Sequence, residues 1–293
     1  MAVTFTAPNK KLTWLITGCS SGFGLSLGRI VQAAGHTLIA TSRHPSRTPE
    51  LVSEVESKGG KWFQLDVDDL NSADFVNGLE ESGVEIDVLI NNAGFAIFSP
   101  VETTTEDELR AQMDTMYFGP LRLIRAVIPH MRTRNFGVIA NFSSGAALDG
   151  YNTMGPYAGA KGGLDALTKV LAKEVAPFNI RVLTVVLGTF NTNFGNPLVV
   201  GKNPLLDAYR GSATEQMIQW LSTGKVPVNG DKDKAMKAVY ELVVGEGSGT
   251  GHEAERLLPL GTDMTMRVKT VRDYLQHSLD VFGSITNDVA IDK

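Results

Sequence analysis

Short runs of apolar and β-branched residues alternate along the chain with longer stretches whose apolar residues recur at helical spacing. Several of the short runs are almost continuously apolar, which is typical of strands buried on both faces of a parallel sheet. The strand candidates are residues 12–17, 37–42, 61–67, 86–91, 137–142, 180–187 and 256–260. The helix candidates include residues 25–34, 70–82, 106–132, 157–176, 205–221 and 264–282.

This alternation predicts an α/β fold, a Rossmann-type doubly wound parallel β-sheet with helices on both faces. Ligands bind such sheets beyond the carboxyl ends of the strands, so functional side chains are expected just after the strand candidates. No internal repeat or low-complexity linker divides residues 1–293, which are predicted to form a single domain. Residues 188–230, rich in glycine, asparagine and proline, are predicted to form a substrate lid, and residues 262–293 a C-terminal helical extension.

Composition and charge exclude several functional classes. Charged residues make up 20% of the chain and the net charge is −5, without a long block of one sign, so nucleic-acid binding has no electrostatic support. The longest apolar run is far shorter than the ~20 residues of a membrane-spanning helix. A single cysteine rules out an intrachain disulfide and a multi-cysteine metal site, and we expect no metal. Residues 1–11 lack the apolar core of a signal peptide, which favours a cytoplasmic location.

A glycine-rich loop, TGCSSGFG at residues 17–24, follows the first strand candidate and runs directly into a helical pattern. Glycine lets the backbone turn sharply and approach a pyrophosphate, and the N-terminus of the next helix offers free N–H groups to the anion. Cys19 within the loop is interpreted as a small packing residue rather than a reactive thiol. The residues predicted to bind a dinucleotide here are Gly18, Ser20, Ser21, Gly22, Phe23 and Gly24.

The end of the second strand candidate distinguishes NAD from NADP. An acidic residue there would hold the ribose 2′-hydroxyl, whereas an arginine accommodates a 2′-phosphate. Ser42 and Arg43 stand at this point, Arg47 is close behind, and the first carboxylate is Glu50. Because a guanidinium binds a phosphate bidentately, we predict NADP(H), with Arg43 as the main contact and Ser42 as its hydrogen-bonding partner. The alternative is that Arg43 is a solvated surface residue.

Two further strand ends fit the same cofactor. Asp66 and Val67 end the third strand candidate, where an adenine would lie. Asn92, Ala93 and Gly94 follow the fourth, and small residues with an amide side chain suit a backbone that passes close to a ribose. Either element alone would more often be a simple turn at the end of a strand.

Tyr157 and Lys161 are four residues apart at the start of a helical pattern, which places both side chains on one helical face. A phenol with a pKa of about 10 is a poor base at neutral pH, and a neighbouring ammonium favours the phenolate. The pair can exchange a proton with a carbonyl or alcohol oxygen while a hydride moves to or from a nicotinamide. Ser144, thirteen residues earlier, can hydrogen-bond the reacting oxygen. Ser143 is the competing candidate, and the spacing favours Ser144.

The ordered combination of TGCSSGFG, NNAG, a serine at a strand end and YAGAK resembles the short-chain dehydrogenase/reductase family over about residues 12–192. The segments ATSR at residues 40–43 and LPLGTD at residues 258–263 are similar to the retinol- or 17β-hydroxysteroid-dehydrogenase-like branch. The resemblance implies an NADP-dependent oxidoreductase. It also implies a homodimer or homotetramer that pairs through the helices at residues 106–132 and 157–176.

The resemblance assigns roles to individual residues. It implies that Ser144, Tyr157 and Lys161 are catalytic, with Tyr157 as the proton donor in reduction and Lys161 also bound to the nicotinamide ribose. It implies that Asn92 contacts the cofactor. The remaining cofactor contacts follow the sixth strand candidate and are Gly188, Phe190 and Thr192, of which Thr192 matches the threonine that binds the nicotinamide carboxamide.

Two positions depart from the family pattern. Met116 stands where the family usually has an asparagine whose main chain holds a water of the proton relay. This leaves open how protons reach Tyr157. Leu187 replaces the usual proline before Gly188, so the loop that faces the nicotinamide loses a fixed φ angle.

The lid candidate is rich in apolar residues, which suits a lipophilic substrate, although a lid that packs on its own core would have the same composition. These residues are Phe190, Phe194, Pro197, Leu198, Val199, Val200, Leu205, Leu206, Tyr209, Met217 and Trp220. The leading hypothesis is a reductase of lipophilic carbonyl compounds, or the reverse alcohol dehydrogenase. The alternatives are an NADPH-binding sensor without turnover, and an enzyme that adds a non-redox step such as cyclisation or isomerisation.

Overall fold

The computed structural model describes residues 5–190, 192, 199–222 and 229–291, with the side chains of residues 221 and 222 left aside. Three residues predicted in the lid, Phe194, Pro197 and Leu198, lie outside the described residues. The strands of the described part are β1 (Thr13–Ile16), β2 (Thr37–Ser42), β3 (Lys61–Gln64), β4 (Val88–Asn91), β5 (Ile97–Phe98), β6 (Gly137–Ser144), β7 (Ile180–Leu187), β8 (Val199–Val200) and β9 (Leu257–Leu260).

Seven of these strands form one parallel sheet in the order β3-β2-β1-β4-β6-β7-β9. The strand order reverses between β1 and β4, and this switch point is where such sheets bind ligands beyond the carboxyl ends of the strands. β5 and β8 form a separate two-stranded parallel sheet. The doubly wound parallel sheet predicted from the sequence is therefore confirmed.

Helices cover both faces of the sheet because successive strand residues point to opposite sides. Trp14 and Ile16 of β1 pack into one buried cluster and Leu15 into another. The helices of the described part are α1 (Gly22–Ala33), α2 (Pro49–Ser57), α3 (Ser72–Glu81), α4 (Glu106–Met113), α5 (Gly119–Arg134), α6 (Ala146–Asp149), α7 (Gly155–Glu174), α8 (Ala213–Ser222), α9 (Lys232–Val244) and α10 (Met264–Asn287). The first cluster includes side chains of α1, α2 and α9, and the second includes side chains of α3, α5 and α7.

The helix predicted at residues 106–132 is interrupted. It consists of α4, a π-helical segment at Asp114–Phe118, and α5 with Pro120 in its first turn. A π-helical segment widens one turn without ending the apolar periodicity, so the sequence pattern is continuous across it. The helix predicted at residues 205–221 begins only at Ala213.

Three helices, α2, α6 and α9, lie outside the predicted set. α2 has nine residues, too few to show a clear helical period, and a proline in its first turn. The side chain of Asp231 caps the N-terminus of α9 by accepting from the backbone N–H groups of Asp233 and Lys234. In the described residues, no helix has the length and apolar character needed to cross a membrane.

Candidate active site

The glycine-rich loop connects β1 to α1 at the switch point of the sheet. Gly18 has a φ of +73°, a left-handed conformation that glycine adopts without strain. A Cβ atom at Gly24 would collide with the carbonyl oxygen of Gly18 and lie 2.6 Å from Nδ2 of Asn92, so no larger residue fits there. The loop therefore folds back on itself and leaves its backbone accessible from the carboxyl edge of the sheet.

The N-terminus of α1 is open to an anion. Ser21 is its N-cap residue and has an extended backbone, while Ser20 is exposed and Gly22 begins the helix. Among the described residues, no side chain caps this end, which leaves backbone N–H groups and the positive end of the helix dipole available. This geometry fits the pyrophosphate of a dinucleotide.

Cys19 is a packing residue, as predicted from the sequence. Its side chain is buried and burial raises the pKa of its thiol to about 12, so the reactive thiolate is scarce at neutral pH.

Asn92 holds the loop in place. Its Nδ2 donates to the carbonyl oxygens of Thr17 at 2.8 Å and of Gly18 at 3.1 Å. The hydroxyl of Thr17 in turn accepts from the backbone N–H groups of Asn92 and Ala93, each at 3.0 Å. Gly94 lies against the methyl end of Met116. The three residues after β4 thus lie beside the glycine-rich loop, at the predicted cofactor site.

The residues predicted for the 2′-phosphate lie at the carboxyl end of β2. Arg43 is exposed, and its positive charge acts on the half-buried carboxyl of Asp68. Ser42 is buried, and its Oγ accepts from Nε1 of Trp62 at 3.0 Å, which leaves its own O–H free to donate elsewhere. The neighbouring Asp66 is exposed, whereas the side chain of Val67 is buried.

Tyr157 lies in the first turn of α7, behind Pro156, and its side chain is only 6% exposed. Its hydroxyl is hydrogen-bonded to Ser144 at the end of β6. Burial raises the pKa of Tyr157 to about 12, the charge of Asp165 adds to the rise, and the Ser144 bond and the charge of Arg267 oppose it. The phenol therefore holds its proton at neutral pH and is a proton donor rather than a base.

Lys161 lies one turn further along α7 and is 4% exposed. Its Nζ donates to the carbonyl oxygen of Phe142 at 2.5 Å. Burial lowers the pKa of Lys161 to about 8, against the opposing effect of Asp165. The ammonium is mostly charged at pH 7, and a modest rise in pH discharges it.

The two serines at the end of β6 contact different partners. Ser144 bonds Tyr157 and accepts from the backbone N–H of Ala146 at 3.2 Å. Ser143 instead donates to Oδ2 of Asp165 at 2.8 Å. The geometry therefore brings Ser144, and not its neighbour, to the phenol.

Met116 is buried in the π-helical segment between α4 and α5. Its sulfur accepts from Nε2 of Gln112 at 3.0 Å, and that same Nε2 donates to the carbonyl oxygen of Phe95 at 2.7 Å. Met116 also shares a buried cluster with Phe98 and Tyr157. Irregular helical turns of this kind are frequent at functional sites, and Met116 of this one packs in the same buried cluster as the phenol.

The loop after β7 closes the other side of the site. Phe190 packs edge to face on Phe23, with ring centroids 5.3 Å apart, and Phe23 also packs against Phe142. A Cβ atom at Gly22 would lie 3.8 Å from that of Thr192. The loop that carries these residues thus lies over the start of α1.

A network that the sequence did not predict fixes this loop to the C-terminal helix. Asp263 accepts from the backbone N–H of Thr189, next to Gly188, at 3.2 Å. Arg267, 6% exposed, lies 3.3 Å from Asp263 and binds both carboxylate oxygens of Asp149, at 2.6 and 2.8 Å. No local signal identifies this network, because its members are brought together only by the tertiary fold.

Asp165 is a second residue that the sequence analysis missed. It is buried, and its Oδ1 has no hydrogen-bond partner among the described residues. Burial raises its pKa, while the Ser143 bond and the charge of Lys161 oppose that rise. Its position four residues after Lys161, on the same face of α7, is a signal that could have found it.

A cavity of about 210 Å³ lies next to the buried cluster that contains Tyr157. Phe98 belongs to both the cluster and the cavity wall. The rest of the wall is Ser99, Pro100, Val200, Gly201, Lys202, Asn203, Pro204, Leu205 and Ile218.

Several known proteins are similar to this chain in sequence. An oxidoreductase, claN, of Passalora fulva is 35% identical over 211 residues, which are 71% of this chain and 94% of that protein. A 3-ketodihydrosphingosine reductase of Bacteroides thetaiotaomicron is 39% identical over 61% of this chain, and retinol dehydrogenase 8 of Bos taurus is 34% identical over 64% of it. The aligned parts cover 64% and 62% of those two proteins, slightly less than two thirds of their length.

Solved structures share the fold. A short-chain dehydrogenase from Streptomyces avermitilis has a TM-score of 0.83 at 31% identity, over 97% of this chain and 100% of that one. A short-chain dehydrogenase from Sphingobium yanoikuyae in complex with NADPH has a TM-score of 0.71 at 20% identity, over 96% and 98% of the two chains. The family model described as short chain dehydrogenase matches residues 13–202. The chain belongs to the short-chain dehydrogenase family, as its ordered motifs and its fold both indicate.

Proposed function

We propose that the protein is an NADP(H)-dependent oxidoreductase that transfers a hydride between NADPH and a carbonyl or alcohol group, with Tyr157 as the acid/base. The observation that carries this proposal is a buried phenol that is hydrogen-bonded to Ser144 and lies one turn from the ammonium of Lys161. Lys161 binds the carbonyl of Phe142, whose ring packs on Phe23 of the glycine-rich loop. The acid/base group and the nucleotide loop are therefore joined by direct contacts.

The chain's own residues supply the proton chemistry. When bound, a nicotinamide would supply the hydride that the carbonyl carbon accepts in reduction. The backbone N–H of Ala146 donates to Ser144, so the hydroxyl proton of Ser144 is free to polarise the carbonyl oxygen or to support Tyr157. Tyr157 gives its proton to that oxygen, and the C=O group becomes an alcohol. The guanidinium of Arg267, whose charge lowers the pKa of Tyr157, would then stabilise the phenolate that remains, and so would the ammonium of Lys161 one turn away on α7.

The residues present fit a dinucleotide phosphate. The folded loop around Gly24 and the open N-terminus of α1 would hold the pyrophosphate. Asn92, Lys161 and Thr192 would lie along the nicotinamide half. Arg43, exposed at the end of β2 without a carboxylate beside it in sequence, would bind the 2′-phosphate. The Sphingobium structure with NADPH supports this choice at the level of the fold.

We expect Arg43→Asp to weaken NADPH binding by about 10- to 100-fold. The substitution removes a hydrogen bond to a charged group, and the new carboxylate repels the 2′-phosphate. NADH, which lacks that phosphate, should bind as well as before or better. Dissociation constants for both cofactors, measured by fluorescence titration, test this. Arg47→Asp, four residues further along, is the matched control, and equal effects of the two variants would contradict a specific role for Arg43.

The substrate proposed is a small lipophilic carbonyl compound or alcohol. The cavity beside the Tyr157 cluster is walled mainly by apolar side chains, and four of them come from the proposed lid at residues 188–230: Val200, Pro204, Leu205 and Ile218. The names of two relatives specify retinol and 3-ketodihydrosphingosine, an alcohol and a ketone built largely of hydrocarbon. A cytoplasmic location and a homodimer or homotetramer built on α4, α5 and α7 remain predictions from the sequence.

The experiment that tests the proposed function uses NADPH deuterated at the transferred position and a panel of lipophilic ketones and aldehydes. We expect alcohol products that carry one deuterium at the former carbonyl carbon. Tight NADPH binding without turnover across the panel would favour the sensor alternative. Conversion to a product without deuterium would favour a non-redox reaction.

Asp165 is expected to raise the pKa of Lys161. Its charge raises the pKa of the buried ammonium, so Asp165→Asn should lower that pKa further below about 8. The pH at which kcat/KM for reduction begins to fall should then move to lower pH. Asp165→Glu, which keeps the charge, is the control. A lower Tm with an unchanged pH profile would show that Asp165 has a purely structural role.

A further inference from the structure

Three neighbouring strands of the sheet, β6, β7 and β9, end next to the first turn of the C-terminal helix α10. The hydrogen-bond ladder continues one residue beyond β6 and β7. The backbone N–H of Gly145 donates to the carbonyl oxygen of Leu187, and that of Gly188 to the carbonyl oxygen of Leu260, each at 2.8 Å. Gly145 directly follows Ser144, and a short turn after β9 leads into α10. The start of α10 is therefore close to two loops of the candidate site.

The guanidinium of Arg267, in the first turn of α10, lies against the backbone of Gly145. A Cβ atom at Gly145 would collide with the guanidinium carbon and would lie 2.8 Å from Nε of Arg267. Gly145 has an ordinary right-handed φ of −54°, so this contact, and not the backbone conformation, requires a glycine. The ring of Tyr151 also packs on the guanidinium, with 4.7 Å from Cζ to the ring centroid. Arg267 therefore occupies the space beside the turn that follows Ser144.

Two carboxylates hold the guanidinium in this position. Nε and Nη2 of Arg267 donate to the two carboxylate oxygens of Asp149 at 2.8 and 2.6 Å, a bidentate pair that also fixes the orientation of the group. Nη1 lies 3.3 Å from Oδ2 of Asp263. The carboxylate of Asp263 in turn accepts from the backbone N–H and the hydroxyl of Thr189, at 3.2 and 3.3 Å. One guanidinium thus links the turn after β6 to the loop after β7.

Burial gives these contacts a fixed geometry. Arg267 is only 6% exposed, and a buried charge that loses its partner is strongly unfavourable, so the ion pairs keep the guanidinium in one place. Leu187 does not fix its φ angle as a proline would, so the loop after β7 depends on Asp263 for its position. The charge of Arg267 also lowers the pKa of Tyr157, which indicates that the guanidinium is within electrostatic reach of the phenol.

We propose that Arg267 is a positioning residue that holds the turn after Ser144 and the loop at Thr189 in fixed positions relative to each other, so that the first turn of α10 completes the candidate active site. Nε, Nη1 and Nη2 all contact carboxylates, so Arg267 acts through the residues that it holds. A shift of the turn would move Ser144 away from Tyr157, and a misplacement of about 1 Å can cost about 100-fold in rate. The catalytic part of this proposal rests on the proposed function.

Hydrogen exchange measured by mass spectrometry tests the positioning without a substrate. In Arg267→Met we expect the peptides that contain Gly145 and Thr189 to exchange about tenfold faster, because local opening of both loops becomes easier. Peptides from α3 should exchange as in the wild type. Arg272→Met, an exposed arginine of the same helix that pairs with its neighbour Asp273, is the matched control. Unchanged exchange of the two peptides would overturn the proposal, and so would an equal acceleration along the whole chain.

Gly145→Ala tests the same contact with every charge left in place, and it keeps the proposal testable if Arg267→Met does not fold. The added Cβ atom would displace the guanidinium, so we expect the peptide with Thr189 to exchange faster here as well. Gly78→Ala is the matched control, since a Cβ atom at this helical glycine meets open space among the described residues. Wild-type exchange at Thr189 in Gly145→Ala would contradict the proposed link between the two loops.

Steady-state kinetics test the catalytic consequence. We expect Arg267→Met to lower kcat by about 10- to 100-fold and to change the dissociation constant of NADPH by less than about threefold, because the glycine-rich loop is untouched. Arg267→Lys keeps the charge without the planar fork and should stay at least about fivefold below the wild type. Wild-type kcat in either variant would overturn the positioning role. A wild-type protein without turnover would instead defeat the proposed function, and the exchange results alone would then decide whether Arg267 holds the two loops.

Discussion

Replacement of Tyr157 by phenylalanine is expected to reduce kcat/KM for carbonyl reduction by about 10²- to 10⁴-fold, the range that a positioned general acid contributes. The substitution removes one oxygen atom from a side chain that is 6% exposed, so the ring keeps its packing in the cluster with Phe98 and Met116. The proton that the alkoxide needs must then come from water, which the burial of this site disfavours. The reaction to follow is NADPH oxidation with the best ketone of the deuterium experiment.

The matched control for this variant is Tyr240→Phe. Tyr240 is also a mostly buried tyrosine, 8% exposed, but its hydroxyl lies 3.3 Å from Nε2 of His36, on α9 and away from the candidate site. We expect it to leave the rate unchanged. NADPH should bind Tyr157→Phe with an affinity close to that of the wild type, since the phosphate-binding loop is untouched. A Tyr157→Phe enzyme that kept more than a tenth of the wild-type rate would contradict the proposed mechanism.

Features encoded by neighbouring residues could be predicted from the sequence. The strands at Thr37–Ser42 and Ile180–Leu187 have the predicted bounds because their apolar runs end at clear breaks. The spacing of Tyr157 and Lys161 on one helix fixes their relative position without knowledge of the fold. The order of the strand-end motifs then predicts which of them meet at the carboxyl edge of the sheet.

Features that depend on the tertiary fold could not be predicted. Arg267 is one arginine in an amphipathic helix, and only the docking of α10 brings it to Asp149, 118 residues earlier. The π-helical turn around Met116 leaves the apolar period intact, so the sequence shows one long helix. The distinction between Ser143 and Ser144 has the same origin. It depends on the partners that α7 brings to each, Asp165 and Tyr157.

In the proposed mechanism the ammonium of Lys161 stabilises the phenolate once Tyr157 has lost its proton. Burial lowers the pKa of this lysine to about 8. Below that pH the ammonium is charged and stabilises the phenolate. As pH rises through about 8 the charge is lost, and with it a favourable interaction that exists only after proton transfer. We therefore expect kcat/KM of the wild-type enzyme for reduction to fall with rising pH in this range.

Lys161→Met should lower kcat/KM at pH 7 by about 10²-fold, a loss of roughly 2.7 kcal/mol from the interaction with the phenolate. It should also abolish the fall in rate near pH 8, because methionine does not titrate. Lys169→Met, two turns further along α7 and exposed, is the matched control and should keep both the rate and the pH profile. Thermal unfolding of both variants shows whether the fold is kept. If the fall near pH 8 persisted in Lys161→Met, a different group would be responsible for it, and the pairing of Lys161 with Tyr157 would lose its support.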